Sequence, residues 1–540
     1  MARKARITVH PAYKIGEISK RLYSTFLEPI GTMVNGTMYN PRHPTADGDG
    51  FRRDFIDGLK DLEMPACRLP GGNFVSCWDW KDSIGPRDKR KVHLDMAWHQ
   101  YITNQVGHDE YLKWAELVNT EPMYTMNLGT GSMKDAIDLV EYTNHPGGTY
   151  WSDLRRSYGR ERPYGVRTWY LGNEMDGPWQ LGSWDKDPRG YGVLANELSK
   201  AIKWIDGSIE TAVCGSSAPF MAHWPDWDAA VLEQCYEAVD YVSLHHYHVA
   251  PPGDCNALLA GSARYEDFIS TEIALCDYIQ SKCRSPKKLM ISFDEYGSMQ
   301  RPCAKLNPGR GYHNMVAAHY RFDPKREYVL HDPDNMSWRR FPGGDILPAL
   351  TMASTILAFL RHADRVKIAC MTGGLGALCA SDKDHVWKPA SHYILTQLIK
   401  HGKGVSMRTS VDCESFDVPG YAIDDNSQYA DLTGVGYVDA VSAWKEDKGE
   451  LSVFVINKSS TECYPVEIDL AGFTGYELIG HTELCSDDIM ARNSYENENA
   501  VIPKENSLTR LDGGTVLSDI KPLSWNHYRL KLKTTPKDKE

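Results

Sequence analysis

Val166-Arg-Thr-Trp-Tyr-Leu-Gly-Asn-Glu174 and Lys288-Leu-Met-Ile-Ser-Phe-Asp-Glu295 are two short apolar runs, and each stops on a glutamate. Their β-branched and aromatic residues suit strands. Runs of the same kind stand on either side: Thr25-Phe-Leu27, Ala66-Cys-Arg-Leu69, Met123-Tyr-Thr-Met-Asn127, Thr211-Ala-Val-Cys214, Tyr241-Val-Ser-Leu-His245 and Arg365-Val-Lys-Ile-Ala369. With Thr168–Leu171 and Leu289–Phe293 they make eight. Amphipathic stretches such as Asp109–Val118 and Tyr191–Ile205 fall between them. Alternating strands and helices imply an α/β protein with a parallel sheet, and eight repeats fit a closed (β/α)8 TIM barrel.

The texture changes after His392-Tyr-Ile-Leu-Thr-Gln-Leu-Ile-Lys400. Helical periodicity gives way to alternating segments, among them Leu451-Ser-Val-Phe-Val-Ile-Asn457 and Tyr464-Pro-Val-Glu-Ile-Asp-Leu470, separated by Gly, Asn and Asp turns. This pattern predicts a C-terminal antiparallel β-sandwich. We expect a catalytic barrel over 19–390 and a sandwich over 391–540, with the N-terminal strand in 1–18 joining the sandwich. The stretch from Met299 to Phe341 has no periodicity and follows the strand that carries Glu295. A loop of that length on the site-bearing face suggests a lid or a subunit contact.

In a (β/α)8 barrel the C-terminal ends of the strands face one shared site. Two glutamates there are what a retaining glycosidase requires: one protonates the leaving oxygen, the other attacks the anomeric carbon. We assign Glu174 as general acid/base and Glu295 as nucleophile. Asn173 precedes the acid and can donate to the hydroxyl beside the anomeric centre. Trp179 and Trp98 are candidate pocket walls. Strand alternation points Asp294 to the side opposite Glu295, and Asp176 lies beyond its strand, where a structural role is expected. In Arg68-Leu-Pro-Gly-Gly-Asn73, two glycines allow a close backbone approach to a ligand. In Ser243-Leu-His-His-Tyr-His248, alternation puts His245 and Tyr247 on one face and His246 and His248 on the other. No further metal ligands stand at a recognisable spacing, so we expect neither a metal nor another cofactor.

The runs Arg68-Leu-Pro-Gly-Gly-Asn-Phe-Val-Ser76, Asn144-His-Pro-Gly-Gly-Thr-Tyr-Trp-Ser-Asp153, Leu171-Gly-Asn-Glu-Met-Asp-Gly-Pro-Trp-Gln-Leu-Gly182, Leu360-Arg-His-Ala-Asp-Arg-Val-Lys-Ile-Ala-Cys370 and Asn493-Ser-Tyr-Glu-Asn-Glu-Asn-Ala-Val-Ile-Pro503 resemble glycoside hydrolase family 51. The resemblance implies a retaining, exo-acting furanosidase, with α-L-arabinofuranosides as the leading substrates and a jelly-roll form for the sandwich. It also implies that Arg68 orients the nucleophile, that Asn73 and Glu28 bind the furanose, that His245 lies near the acid/base and that Tyr247 donates to the nucleophile. A homo-oligomer is implied as well. The chain departs from the family's usual pattern at Tyr296-Gly-Ser-Met299, where Trp-Asn-x-Trp is common. It departs again at Trp387-Lys388-Pro389, where a Gln is common, and at Cys77, where Gly is common. Met299 and Pro389 are therefore expected in the shell that reads the sugar's exocyclic end. A β-D-galactofuranosidase and an endo-glucanase or xylosidase-like enzyme are the alternatives, with a non-catalytic glycan-binding protein as the reading from another class.

The remaining features set bounds. A formal net charge of −12 over 540 residues argues against nucleic acid and anionic membranes as partners. The basic N-terminus, Met1-Ala-Arg-Lys-Ala-Arg, lacks the apolar region of a secretory signal, and no apolar run is long enough to span a membrane. Thirteen cysteines in no paired spacing suit a reducing compartment. We expect a cytoplasmic enzyme that meets imported furanoside-containing oligosaccharides.

Overall fold

The structure, a computed structural model, describes residues 4–305, 327–334, 344–373, 375, 378–423, 427–470 and 472–533. Most of the Met299–Phe341 stretch, with the lid or subunit contact expected of it, lies outside these residues.

Strand β1 (Ala5–Glu17) opens the chain, and eight of the later strands close into a parallel barrel: β2 (Ser24–Phe26), β3 (Ala66–Leu69), β4 (Glu121–Thr125), β5 (Thr168–Leu171), β6 (Glu210–Cys214), β7 (Tyr241–Ala250), β8 (Met290–Gln300) and β9 (Val366–Met371). They pair in chain order, and β9 returns to β2. All eight expected strands are present. The barrel interior is filled by alternately large and small side chains, Phe26, Ala66, Met123, Tyr170, Ala212, Tyr241 and Ile368, with Met290 against them. It is a packed core, as this fold requires. Helices with one apolar face cover the outside. Helix Pro188–Ile205 starts before the expected Tyr191, because the Asp187 side chain accepts from Gly190 N and proline sits in its first turn.

Two strands run well past the barrel rim. β7 and β8 stay paired through Met299↔Val249 and Gln300↔Ala250. Their register slips once on the way: Ser292 faces Ser243, but Glu295 faces His245, so β8 carries one extra residue there. The slip recurs on the other side, between Phe293↔Ala369 and Tyr296↔Met371. This is a β-bulge beside the site-bearing strand end.

The C-terminal region is a ten-stranded sheet. Seven of its longer strands are β10 (Val405–Asp412), β11 (Val438–Lys445), β12 (Glu450–Asn457), β13 (Tyr464–Asp469), β14 (Tyr476–Leu484), β15 (Thr515–Ile520) and β16 (Ser524–Leu532). β1 lies in its middle, antiparallel to β10 and parallel to β13. Alternate residues of both halves, such as Ile7, Val9, Val453, Val455, Ile468, Val516 and Tyr528, meet in one core. The halves thus face each other as a sandwich.

The apolar helix Ile346–Arg361 packs between barrel and sandwich, and its last residue is the electrostatic link. Arg361 reaches Asp439 of β11 at 2.7 Å and Glu266 at 2.5 Å, while Lys458 reaches Asp439 at 3.0 Å. Asp439 is the shared anion of Arg361 and the buried Lys458, and removing it leaves Lys458 without a carboxylate and Arg361 with Glu266 alone. Asp439→Ala should lower stability by about 3–5 kcal/mol, read as a lower midpoint in urea, whereas Asp439→Asn should cost less because it keeps one acceptor oxygen. No helix among the described residues is long and apolar enough to cross a membrane.

Candidate active site

Glu174 and Glu295 reach their positions by different backbone devices. β5 ends at Leu171, and Gly172 then takes φ +96°, a conformation open to glycine. Glu174 itself sits in the left-handed region at φ +45°, which costs a non-glycine residue free energy and marks functional sites. The turn is fixed by Gly177 N donating to Glu174 O at 2.8 Å and Trp184 N donating to Met175 O at 2.8 Å. Asp176 anchors it from below, accepting from Ser217 N at 2.9 Å, from the Ser217 hydroxyl, and lying 3.2 Å from His223 Nε2. Asp176 thus engages the neighbouring loop and not the cavity.

Glu295 is delivered by the β8 bulge. One carboxylate oxygen of Glu295, one of Glu174 and one nitrogen of His245 lie within 4.8 Å of one another. That spacing is close to the roughly 5–5.5 Å between carboxyls in retaining glycosidases and leaves no room for the interposed water of an inverting one.

Donors surround Glu295. Arg68 Nη1 donates to its Oε1 at 2.7 Å, and the Tyr247 hydroxyl donates to its Oε2 at 2.6 Å. Arg68 is wholly buried, sandwiched against the rings of Phe26 and Tyr170 at 5.0 Å each. Its Nη2 donates to Asn173 Oδ1 at 2.7 Å, and Asn173 Nδ2 donates to Asn73 Oδ1 at 2.9 Å. Both ends of the Asn173 amide are therefore engaged by protein, whereas Asn73 lines the cavity.

Asp294 corrects the alternation argument. It is fully buried on the same side as Glu295, 3.0 Å from Arg68 Nε and 3.1 Å from His245 Nε2. The bulge breaks the two-residue period and brings both acids inward. His245 therefore stands between carboxylates, with Nδ1 3.0 Å from Glu174 Oε1 and Nε2 on Asp294. Burial opposes its charge, but Glu295, Asp294 and Glu174 together outweigh burial and push its pKa up to about 10. At neutral pH it is an imidazolium that donates from both nitrogens. Burial pushes the Glu174 carboxyl up; the His245 hydrogen bond opposes this and the Glu295 charge adds to it, with the net shift upward. That is the direction a general acid needs. Asp294 is held low: burial would raise it, but Arg68 and His245 prevail.

The cavity over these groups has a volume of about 240 Å³. Glu28 projects from just beyond β2, its Oε1 accepting from Gly72 N at 3.0 Å and Phe74 N at 2.9 Å. Burial and the Glu295 charge push its pKa up to about 8. Trp98 forms part of the wall from the turn of a hairpin (His93–Asp95, Gln100–Ile102), and Thr372 and Gly373 close the side beyond β9. Trp179 meets the site through its indole, Nε1 donating to Glu174 Oε2 at 2.6 Å.

Met299 and Pro389 do not belong to this wall. Met299 pairs with Val249 beyond the rim and is largely exposed. Pro389 precedes helix Ala390–His401 and is absent from the cavity lining. Thr372 and Gly373, which no motif in the sequence singles out, line the cavity instead. Cys77 donates to Phe74 O at 3.6 Å and to Asp95 Oδ1 at 3.8 Å, beneath the Trp98 hairpin. His246 and His248 point away from the site. His248 Nε2 lies 2.9 Å from Ala257 O, and His246 packs on Tyr265 with ring centres 4.7 Å apart.

Gly72 admits a sharp test of how tightly the site is built. A Cβ added there would stand 2.5 Å from Glu295 Oε1 and 3.2 Å from Asn173 Oδ1. Gly72→Ala should therefore displace the Glu295 carboxylate and reduce kcat/KM by about 100-fold or more, measured on an aryl furanoside with thermal unfolding run in parallel.

Comparison with known proteins agrees with this geometry. Residues 58–267 match the family model "Alpha-L-arabinofuranosidase 1 domain", and residues 344–524 match "Alpha-L-arabinofuranosidase C-terminal domain". The chain is 39% identical over 538 residues to intracellular exo-α-(1→5)-L-arabinofuranosidase 1 of Bacillus subtilis, covering 98% of this chain and 99% of that protein. It is 32% identical to an exo-α-(1→6)-L-arabinofuranosidase of Bifidobacterium longum, covering 98% and 97%. Among solved structures, the Thermotoga maritima α-L-arabinofuranosidase in its arabinose complex superposes with a TM-score of 0.82 at 26% identity, over 98% of this chain and 100% of that one. A family 51 α-L-arabinofuranosidase from Bifidobacterium longum gives 0.83 at 28%, also over 98% and 100%. The chain belongs to the α-L-arabinofuranosidases of glycoside hydrolase family 51.

Proposed function

We propose that this enzyme removes terminal non-reducing α-L-arabinofuranosyl residues from oligosaccharides by double displacement. The observation that carries this is the close approach of a buried Glu174 to a donor-saturated Glu295 at the base of a small cavity. Glu295 attacks the anomeric carbon while Glu174 gives its proton to the glycosidic oxygen. A covalent glycosyl-enzyme forms on Glu295. Glu174, now ionised, takes a proton from water, which attacks the same carbon and restores the configuration. Arg68 and Tyr247 donate to Glu295 and aim it. Glu28 and Asn73 supply hydroxyl contacts, and Trp98 supplies an apolar wall. A cavity of this size suits one terminal furanose, which supports exo action. A lectin has no use for two opposed carboxyls of unlike environment.

Relatives are named for both (1→5) and (1→6) linkages, so we leave the linkage to experiment and place oligosaccharides of either kind as substrates. Several relatives are named intracellular, which supports a cytoplasmic location for this chain as well. A homo-oligomer is part of the same proposal.

Glu295→Ala should abolish turnover. Glu174→Ala should lose most with poor leaving groups and least with activated aryl ones, and azide should restore part of the latter loss by trapping the glycosyl-enzyme. Near wild-type turnover in Glu295→Ala would remove the nucleophile assignment. A panel of aryl α-L-arabinofuranoside, β-D-galactofuranoside and β-D-xyloside should show the first preferred in kcat/KM.

Glu174, His245 and Glu295 form the one potential metal-ligand group among the described residues. His245 has both nitrogens committed to carboxylates and carries a positive charge, so it repels a cation. Prolonged EDTA treatment should leave activity unchanged. Loss of activity, reversed by one divalent ion, would point to a metal at this cluster.

A further inference from the structure

Both oxygens of Glu174 are occupied by donors: Oε1 faces His245 Nδ1 at 3.0 Å, and Oε2 accepts the Trp179 indole N–H at 2.6 Å. A protonated carboxyl keeps acceptor capacity, so both donors can stay in place while Glu174 gives its proton to the glycosidic oxygen. His245 is tethered at its far nitrogen by Asp294 and is buried in the barrel. Trp179 lies on the loop beyond the turn.

We propose that Trp179 is a positioning residue whose indole N–H fixes the Glu174 carboxyl through Oε2 and stabilises the carboxylate that must take a proton from water in the second displacement.

A second feature gives the indole its position. A Cβ built on Gly177 would meet Trp179 Cε2 at 2.6 Å, Cζ2 at 2.7 Å and Nε1 at 3.0 Å. The indole folds back over residue 177 because that residue has no side chain. Gly177 is outside the left-handed region, so an added methyl presses chiefly on the ring and not on the backbone. After the first displacement the same donor again serves the reaction, because Glu174 must be an anion to accept a proton from water. The other charged or titratable groups of the cluster are His245 and Tyr247 from β7, Asp294 and Glu295 from β8, Arg68 from β3 and Glu28 from beyond β2. Burial drives the Glu174 carboxyl upward, His245 opposes, Glu295 adds, and the Trp179 bond opposes. Removing a hydrogen bond to the charged form favours the neutral form.

The inference rests on Glu174 being the acid/base. The test is the pH profile of kcat/KM on an arabino-oligosaccharide, a poor leaving group, for wild type, Trp179→Phe and Gly177→Ala. Trp179→Phe keeps an aromatic ring without the N–H; Gly177→Ala keeps the indole but expels it from Glu174. In both, the alkaline limb should move up by about one pH unit, a tenfold change in the ionisation constant. An alkaline limb that stays in place, or moves down, in a variant that unfolds at the wild-type temperature overturns the proposal. If Trp179→Phe does not fold, Gly177→Ala decides alone. Failure of the underlying assignment has a separate signature, since azide then does not rescue Glu174→Ala.

Discussion

A guanidinium with no exposure to solvent organises the catalytic end of this barrel. Arg68 donates to Glu295 through Nη1 and to Asn173 through Nη2, and its guanidinium pairs with the Asp294 carboxylate 3.0 Å from Nε; Asp294 and Glu295 come from β8 and Asn173 from the turn beyond β5. Its planar fork presents donors in fixed directions, which a lysine cannot do. A buried cation is tolerated only when its donors are met, so the energetic demand of Arg68 is also what fixes the geometry of its partners. The rings of Phe26 and Tyr170 each pack 5.0 Å from the guanidinium carbon. Gly72 completes the arrangement by absence, since any side chain there would occupy the place of the Glu295 oxygen.

The charges around this centre nearly cancel. Asp294 and Glu295 are anions, and Arg68 and the His245 imidazolium are cations, in two alternating pairs. Glu174 and Glu28 are left over. Both are buried, and both are pushed toward the neutral acid, chiefly by burial with the Glu295 charge adding to it. Two carboxylates a few ångströms apart thus acquire different states because their partners differ. Asp294 has a part in this even though it does not face the sugar: it holds the far nitrogen of His245, so that His245 presents a proton, and not a lone pair, to Glu174.

Much of this was legible in the chain and some was not. The eight strands announce themselves as apolar runs, because a parallel strand buried on both faces carries little else. The two glutamates are visible as their terminators, and Arg68, Asn73, His245 and Tyr247 stand in motifs that recur together. What the sequence hides is the irregularity. Nothing in Ser-Phe-Asp-Glu says that β8 carries an extra residue, so alternation sends Asp294 the wrong way. The bulge shows only in the pairing with β7 and β9, where the register slips by one residue on each side. The wall at Thr372 and Gly373 was missed for a related reason: small polar residues after a strand have no signature, while Met299 and Pro389 stood out only as departures from a pattern.

The two strand ends reach the same centre by opposite means, and this has a mechanical consequence. At Glu295 an inserted residue buckles a strand that is paired to both neighbours, so the nucleophile is carried by the sheet itself. At Glu174 the chain has already left the sheet, and a left-handed residue is held by turn hydrogen bonds and by the Asp176 anchor to the adjacent loop. The nucleophile must hold one trajectory toward one carbon. The acid/base must give a proton to one oxygen and later take one from water, and its leaving-group side must admit aglycones of different shape. A strand paired on both sides suits the first demand and an anchored turn the second. The placement of strain at Glu174 and of the bulge at Glu295 follows this division of labour, which is why neither local rule of strand geometry survives at the residues that carry the chemistry.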